Sequence, residues 1–257
     1  MTQTPFLLTQ IADGLCTIRL RRPPVNVLHA PMMRELIATL DSAAADPQVR
    51  AVLLTGEGER VFSAGVEVAD HTPENNSGTS NTFHRLLEAL YAFPLPIVAA
   101  LNGAAVGGGH EVALACDMML STPDAKIGQP EIKLATMAMP ATLLLQQRLP
   151  PNLIAEMLLG GEYLSGERAY ALGLVNRLVS KENFVADCER FMQQFTRMSR
   201  PALMVMKEAL VHARAGNLAA GLAWTHALVD EKVLPLEDLA EGLQAFQEKR
   251  APNWKHR

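Results

Sequence analysis

With only three cysteines, odd in number and far apart, the 257-residue chain has no disulfide framework to lean on. Cys16, Cys116 and Cys188 lack metal-ligand spacing and form no CxxC. Each sits in an apolar-patterned stretch, which predicts buried free thiols in a reducing compartment. Long apolar runs are missing too, and none approaches the ~20 residues of a membrane span. Met1-Thr2-Gln3-Thr4-Pro5 has no basic stretch leading into an apolar one, so no signal peptide is expected and the expected location is cytoplasmic. There is no basic excess. Lys and Arg number 23 against 27 Asp and Glu, a net charge of −4, which argues against a general nucleic-acid binder. A local basic pocket for a small phosphorylated ligand stays open. No exact repeat or low-complexity tract appears. What remains is ordinary: 49% apolar and 19% charged, enough chain for one large domain or one and a half.

The first half alternates short strands with helices. Phe6 to Thr9 and Leu15 to Leu20 read as a hairpin around Asp13-Gly14, stopped by Arg21-Arg22-Pro23-Pro24. Ala30 to Ala45 has helical spacing, with Met33, Leu36, Ile37, Leu40 and Ala44 on one stripe. Val49 to Thr55 and Val61 to Ser63 read as strands. The polar stretch from Asp70 to Asn81 reads as a loop, and Phe83 to Phe93 as a helix. Ile97 to Leu101 is a strand and Val106 to Cys116 a helix, with further strands at Met118 to Leu120 and Ala125 to Ile127. From Ala141 onward only helical periodicity is visible. The class is α/β: strand–helix units, then a helical tail.

Chemistry concentrates in Asn102-Gly103-Ala104-Ala105-Val106-Gly107-Gly108-Gly109-His110-Glu111. Three glycines leading into a helix expose backbone N–H groups at the positive end of the helix dipole. The segment matches neither GxxxxGK[ST] nor a dinucleotide GxGxxG with its acidic partner. It suits an acyl oxygen gaining negative charge, although a plain strand-to-helix turn explains the glycines equally well. Glu131, twenty residues after Glu111, follows Gly128-Gln129-Pro130. Either carboxylate alone reads as a helix-end or loop charge. Converging on one point, the pair can run acid–base chemistry on a water. Phe62-Ser63-Ala64-Gly65-Val66-Glu67 is a second small-residue turn that can aim a donor at the same place. Ser63 is not a nucleophile elbow, and a structural role for it is at least as good. His110, beside Glu111 on a helix, points elsewhere and is read as structural. Asp70-His71 reads as solvated loop. No Ser-His-Asp assembly or metal-ligand spacing stands out.

These motifs in this order resemble the enoyl-CoA hydratase/isomerase (crotonase) superfamily over essentially the whole chain. They are Phe62 to Glu67, Asn102 to Asp117, Gly128 to Glu131, Leu172-Gly173-Leu174-Val175 and Phe246-Gln247-Glu248-Lys249-Arg250. The resemblance implies a spiral of ββα units over 1–195 and a helical C-terminal trimerisation region over 196–257. It implies a homotrimer or a hexamer of paired trimers. The ligand it implies is an acyl-CoA whose coenzyme is part of the substrate, with no separate cofactor and no metal. It places the oxyanion N–H groups at Val66 and Gly108 and the two hydratase glutamates at Glu111 and Glu131. Glu111 is then the base for water and Glu131 the proton donor to Cα. Ala64, Gly65 and Gly107 line the substrate, and Lys249, with Arg250 and Lys255, can reach the coenzyme phosphates.

The chain also departs from the family pattern. Glu67 stands where an Asp is usual. Thr136-Met137-Ala138-Met139-Pro140-Ala141 replaces a glycine-rich segment, so Met137, Met139 and Pro140 are expected to reshape the acyl pocket. The details around Glu67, Glu131 and the C-terminus are most similar to cyclohexa-1,5-diene-1-carbonyl-CoA hydratases, which act on a cyclic dienoyl thioester in aromatic compound degradation. Water addition to an unsaturated acyl-CoA is therefore the expected activity. Double-bond isomerisation on the same scaffold and a catalytically silent acyl-CoA-binding subunit are the alternatives.

Overall fold

The chain visits two sheets in turn. The computed structural model describes residues 6–67, 76–213, 224 and 227–257. Its strands are β1 (Leu7–Ala12), β2 (Leu15–Leu20), β3 (Ala51–Gly56), β4 (Val61–Ser63), β5 (Ile97–Leu101), β6 (Ala104–Val106), β7 (Met118–Ser121), β8 (Lys126–Gly128), β9 (Leu164–Ser165) and β10 (Arg177–Leu178). A six-stranded sheet runs in the order 1-2-3-5-7-10 and a four-stranded sheet in the order 4-6-8-9. The β1–β2 hairpin and the β8–β9 pair are antiparallel, and the other pairings are parallel. The β1–β2 hairpin lies wholly in the large sheet; the units after it give their first strand to the large sheet, their second to the small sheet, and then a helix. α2 (Asn76–Tyr91) follows β3 and β4, α3 (Gly108–Ala115) follows β5 and β6, and α4 (Met139–Leu144), α5 (Pro151–Gly160) and α6 (Gly166–Ala171) come after β8. That repetition is the spiral of ββα units.

Period-2 side-chain alternation decides what each face of the large sheet meets. Cys16, Ile18, Leu20, Val52, Leu54, Ile97, Ala99 and Leu101 join the main core with α1 (Ala30–Ala45), α2 and α3. Their neighbours Leu15, Ala51, Leu53, Val98 and Ala100 face the other way. There they meet Cys188 and Met192 of α7 (Phe184–Thr196). On α1, Pro31 sits in the first turn and Met32, Met33, Leu36, Leu40 and Ala43 are buried. The three cysteines are buried free thiols, and burial raises them to about 11 for Cys16 and about 12 for Cys116 and Cys188.

The expected boundary between 195 and 196 falls at the last turn of α7. α8 (Arg200–Ala213) and α9 (Glu237–Glu248) follow. Lys207 of α8 holds Asp117 at 2.6 Å, both side chains largely buried. The last residues fold back: Asp238 accepts from Lys255 N at 2.6 Å and His256 N at 3.0 Å, and Trp254 Nε1 donates to Arg197 O at 2.8 Å.

Four expectations need correction. Residues 76–81, read as loop, are the first turns of α2. Their composition disfavours a helix, but a helix anchored by Phe83, Leu86, Leu87 and Leu90 extends cooperatively. That helix ends at Tyr91, two residues earlier than expected. β6 lies inside what read as a glycine turn. Past Ala141 the chain still adds β9 and β10, each two residues long and too short to display a period. Asp70 and His71 lie outside the described residues. No helix among the described residues is long and apolar enough to cross a membrane.

Candidate active site

α3 starts where β6 ends, and the glycines there are demanded by close approach. Gly107 caps the helix at φ +55°. A Cβ on it would stand 2.7 Å from Glu131 Oε1, so the missing side chain lets that carboxylate rest on the turn. Gly108 is the first helical residue. A Cβ there would lie 2.5 Å from Val66 Cγ2 and 3.2 Å from Val66 N. The two expected donor segments are therefore in near contact.

Gly65, at φ +109°, turns the chain into this position. A parallel bridge holds it: Leu28 N donates to Gly65 O at 2.8 Å and Glu67 N donates to Leu28 O at 2.9 Å. In a parallel ladder the intervening Val66 N–H faces away from Leu28. The Gly108 N–H, first in its helix, has no intrahelical acceptor. Side by side, the two N–H groups form a pair suited to an oxygen that gains negative charge. Ser63 serves structure, its Oγ donating to Asn26 O at 2.8 Å and accepting from Gly65 N at 3.2 Å. Ala64 is exposed beside this turn. Glu67 pairs with Arg22 at 2.9 Å on a half-exposed surface, a contact worth little.

Glu111 lies on the same helix as Gly108 and is 4% exposed. Its Oε1 accepts from Ala141 N at 3.0 Å. Burial pushes its carboxyl up from 4.5 to about 8. The Ala141 N–H opposes that shift and the nearby Glu131 carboxylate adds to it. That shift favours the protonated form of Glu111 in the substrate-free site. Glu131 opens a 3-10 turn, Glu131–Leu134, and is half-buried. With its oxygen turned to His110 and its nitrogen to Glu131, the Gln129 amide contacts His110 Nδ1 at 3.2 Å. It then donates to both Glu131 oxygens at 3.1 Å. Burial, helped by the Arg148 charge, lowers His110 to about 3, so its imidazole is neutral.

A cavity of about 380 Å³ opens beside Glu131, lined by Gln129, Thr136, Met137, Ala138, Ile154 and Leu158 among others. It holds one end of the segment in which the family glycines are replaced. Met139 and Pro140, expected to line the acyl pocket, do not line this cavity. They open helix α4 (Met139–Leu144), and the next residue, Ala141, supplies the N–H to Glu111. A smaller cavity, about 90 Å³, lies under α7 against Thr17 and Arg19 and touches neither carboxylate.

Lys249 caps α9 at φ +55°. Arg250 is held by Glu241 at 2.7 Å and by Glu248. Coenzyme phosphates would thus compete with carboxylates for that guanidinium.

Sequence reasoning did not show that the Ala141 N–H reaches Glu111 or that Gln129 reaches Glu131, and it read His110 as structural, which its full burial fits. A signal for His110 existed. α3 is apolar nearly all round, from Val112 to Ala115, which is the pattern of a helix buried on every side. A residue beside Glu111 on such a helix faces protein, not solvent.

The sequence profile described as enoyl-CoA hydratase/isomerase matches residues 10–257. A cyclohexa-1,5-dienecarbonyl-CoA hydratase from Thauera aromatica is 33% identical over 246 residues, covering 95% of each chain. A carnitinyl-CoA dehydratase from Salmonella typhi is 33% identical over 248 residues, covering 93% of this chain and 94% of that one. The crystal structure of an enoyl-CoA hydratase from Bacillus anthracis superposes with a TM-score of 0.94 at 28% identity, covering 98% of this chain and 100% of that one. Carrying the ββα spiral, the glycine turn and both carboxylates, the chain belongs to the enoyl-CoA hydratase/isomerase (crotonase) family and is a lyase of the hydratase type.

Proposed function

We propose that the enzyme adds water to a cyclic dienoyl-CoA thioester of the cyclohexa-1,5-diene-1-carbonyl type. The Val66 and Gly108 N–H groups take the thioester oxygen and stabilise its enolate-like charge. A water held between Glu111 and Glu131 loses a proton to one carboxylate as its oxygen bonds to carbon. The other carboxylate delivers a proton to Cα, so one shared proton serves the pair. Glu111 is the base for water once its resting proton has passed to Glu131. The observation that carries the reading is convergence. The Gly107-Gly108 turn touches both Val66 and Glu131, and Glu111 stands on the helix it opens.

Two features support the cyclic substrate. The altered segment both lines the cavity beside Glu131, through Met137, and braces Glu111, through Ala141. The Thauera relative carries that activity in its name at 33% identity. Met139 and Pro140 then act on pocket shape by setting α4, and Gly65 and Ala64 flank the acyl carbonyl. Lys249 contributes to the coenzyme end. The coenzyme A arrives with the substrate, and no separate cofactor or metal takes part. We assign a homotrimer, or two trimers paired, assembled through the region 196–257, in the cytoplasm. Exposed Phe246 and Leu243 on α9 and Met206 and Leu210 on α8 support such a covered face.

Glu111→Gln and Glu131→Gln test the mechanism. Each is expected to lower turnover by ~10²–10⁴-fold with thioester binding retained. The double variant loses less than the product of the two. Hydration at the ordinary rate by either single variant removes that residue from the mechanism. For the substrate, the cyclic dienoyl thioester is expected to exceed crotonyl-CoA in kcat/KM. The opposite order returns the enzyme to general enoyl-CoA hydration.

A further inference from the structure

His110 is fully buried on α3, next to Glu111 in sequence, and faces Gln129, itself 1% exposed. Its imidazole has one proton to place. Nε2 has no hydrogen-bond partner among the described residues, whereas Nδ1 lies 3.2 Å from the Gln129 amide. A proton on Nε2 would leave a buried N–H orphaned. It would also make Nδ1 an acceptor, draw the Gln129 nitrogen toward it and turn the Gln129 oxygen onto the Glu131 carboxylate, acceptor against acceptor. A proton on Nδ1 removes the acceptor clash and leaves Nε2 only an unpaired lone pair in place of an orphaned N–H. His110 then donates to Gln129 Oε1, and the Gln129 nitrogen donates to both Glu131 oxygens at 3.1 Å. Gly107 confines the same carboxylate from the other side, since Glu131 Oε1 occupies the space next to its missing side chain.

We propose that His110 is a positioning residue: by donating from Nδ1 to Gln129, it fixes the amide so that its nitrogen faces Glu131 and holds that carboxylate against the glycine turn. The inference rests on the proposed role of Glu131. His110 does not touch water or thioester. It acts through Gln129, as an outer hydrogen bond orients a working side chain. Burial keeps its imidazole neutral, so the donor brings no positive charge up to Gln129.

The full-length enzyme supplies the test, assayed with whichever unsaturated acyl-CoA it hydrates. His110→Leu removes the donor and is expected to lower kcat about 10–100-fold, with KM nearly unchanged. In a Gln129→Leu background the same change should cost little more, because the amide it orients is gone. His110→Asn, whose amide nitrogen can donate from close to the Nδ1 position, should recover most of the loss. Equal losses in both backgrounds, or no loss, would overturn the proposal and leave His110 a packing residue. Should His110→Leu fail to fold, nitrogen NMR of the unmodified protein with labelled histidine decides. A neutral imidazole protonated at Nδ1 is expected throughout, and an Nε2–H tautomer or a charged ring contradicts it. Normal turnover in Glu131→Gln would sink the reading of Glu131 itself. Collapse of Glu131→Gln beside a harmless His110→Leu would sink only this positioning role.

Discussion

The two ends of α3 are treated in opposite ways. At the C-terminal end side chains from other elements take up carbonyl acceptors. Arg148 donates to Leu114 O at 2.9 Å and to the carbonyls of Cys116 and Asp117. Asp117 takes Ile97 N at 3.0 Å and both hydrogen bonds from Lys207. Cations at a helix C-terminus complement its dipole, and here they also tie α8 to the core. At the N-terminal end three glycines keep side chains out, and the turn lies against Val66 and Glu131 with no side-chain cap. A short helix serves both purposes because one end is saturated and rigid while the other is left able to receive charge.

Breaking the saturated end should cost stability and leave chemistry nearly intact. Lys207→Met strands Asp117 in a buried setting, and losing one partner of such a pair costs about 3–5 kcal/mol. Denaturant unfolding should show that loss, while turnover per folded molecule stays near the parent value. A collapse of kcat in fully folded Lys207→Met would mean the two ends are not separable.

Breaking the open end should do the reverse. Gly108→Pro removes one of the two donors and should lower turnover by at least ~10²-fold. Circular dichroism confirms the fold. A folded Gly108→Pro enzyme with ordinary turnover would count against the oxyanion pair.

Glu111, the proposed base, sharpens the comparison, since its burial burdens the fold. Its carboxyl rises from 4.5 to about 8 in the native state, so the folded protein binds more protons than the unfolded chain between those values. The group's contribution to stability is whole below about pH 4.5, falls as pH rises and is lost above about pH 8. Glu111→Gln removes the titration while keeping an oxygen for Ala141 N–H. Its stability should match the parent near pH 4 and exceed it near pH 8 by something on the order of 4 kcal/mol. Melting temperatures at the two pH values check this. A variant less stable than the parent at pH 8 contradicts the burial argument. Turnover of the parent should likewise fall as pH climbs past about 8, where the shared proton leaves the pair.

The smallest effect concerns the acyl cavity. Met137→Gly should narrow the preference for a cyclic over a linear enoyl thioester by ~1–2 kcal/mol in kcat/KM ratio. Met139→Gly, which lies outside the cavity lining, should do so less. Equal effects would make α4 placement, not direct lining, the source of selectivity.

Much of this was legible in the sequence because the signals are local. The unbroken apolar run Ile97 to Leu101 and the helical stripe of α1 mark elements that burial then uses. Both carboxylates and both oxyanion turns are carried by residue types that few other roles require together. Long-range pairing was not legible. Nothing local says that the Ala141 N–H, thirty residues from Glu111, closes on it. Nothing local says that Gln129 bridges His110 to Glu131 either. α2 began earlier than its composition suggests because packing of its apolar positions outweighs weak propensity at Asn76 to Asn81.

The central claim is that the open end of α3 directs water onto an unsaturated thioester. Reaction in heavy-oxygen water tests it most directly, with the product analysed by mass. The account predicts one solvent oxygen incorporated per product molecule by the unmodified enzyme, and incorporation slowed ~10²-fold or more in Glu111→Gln and Glu131→Gln. A product with a moved double bond and no solvent oxygen, or thioester recovered unchanged, would contradict it.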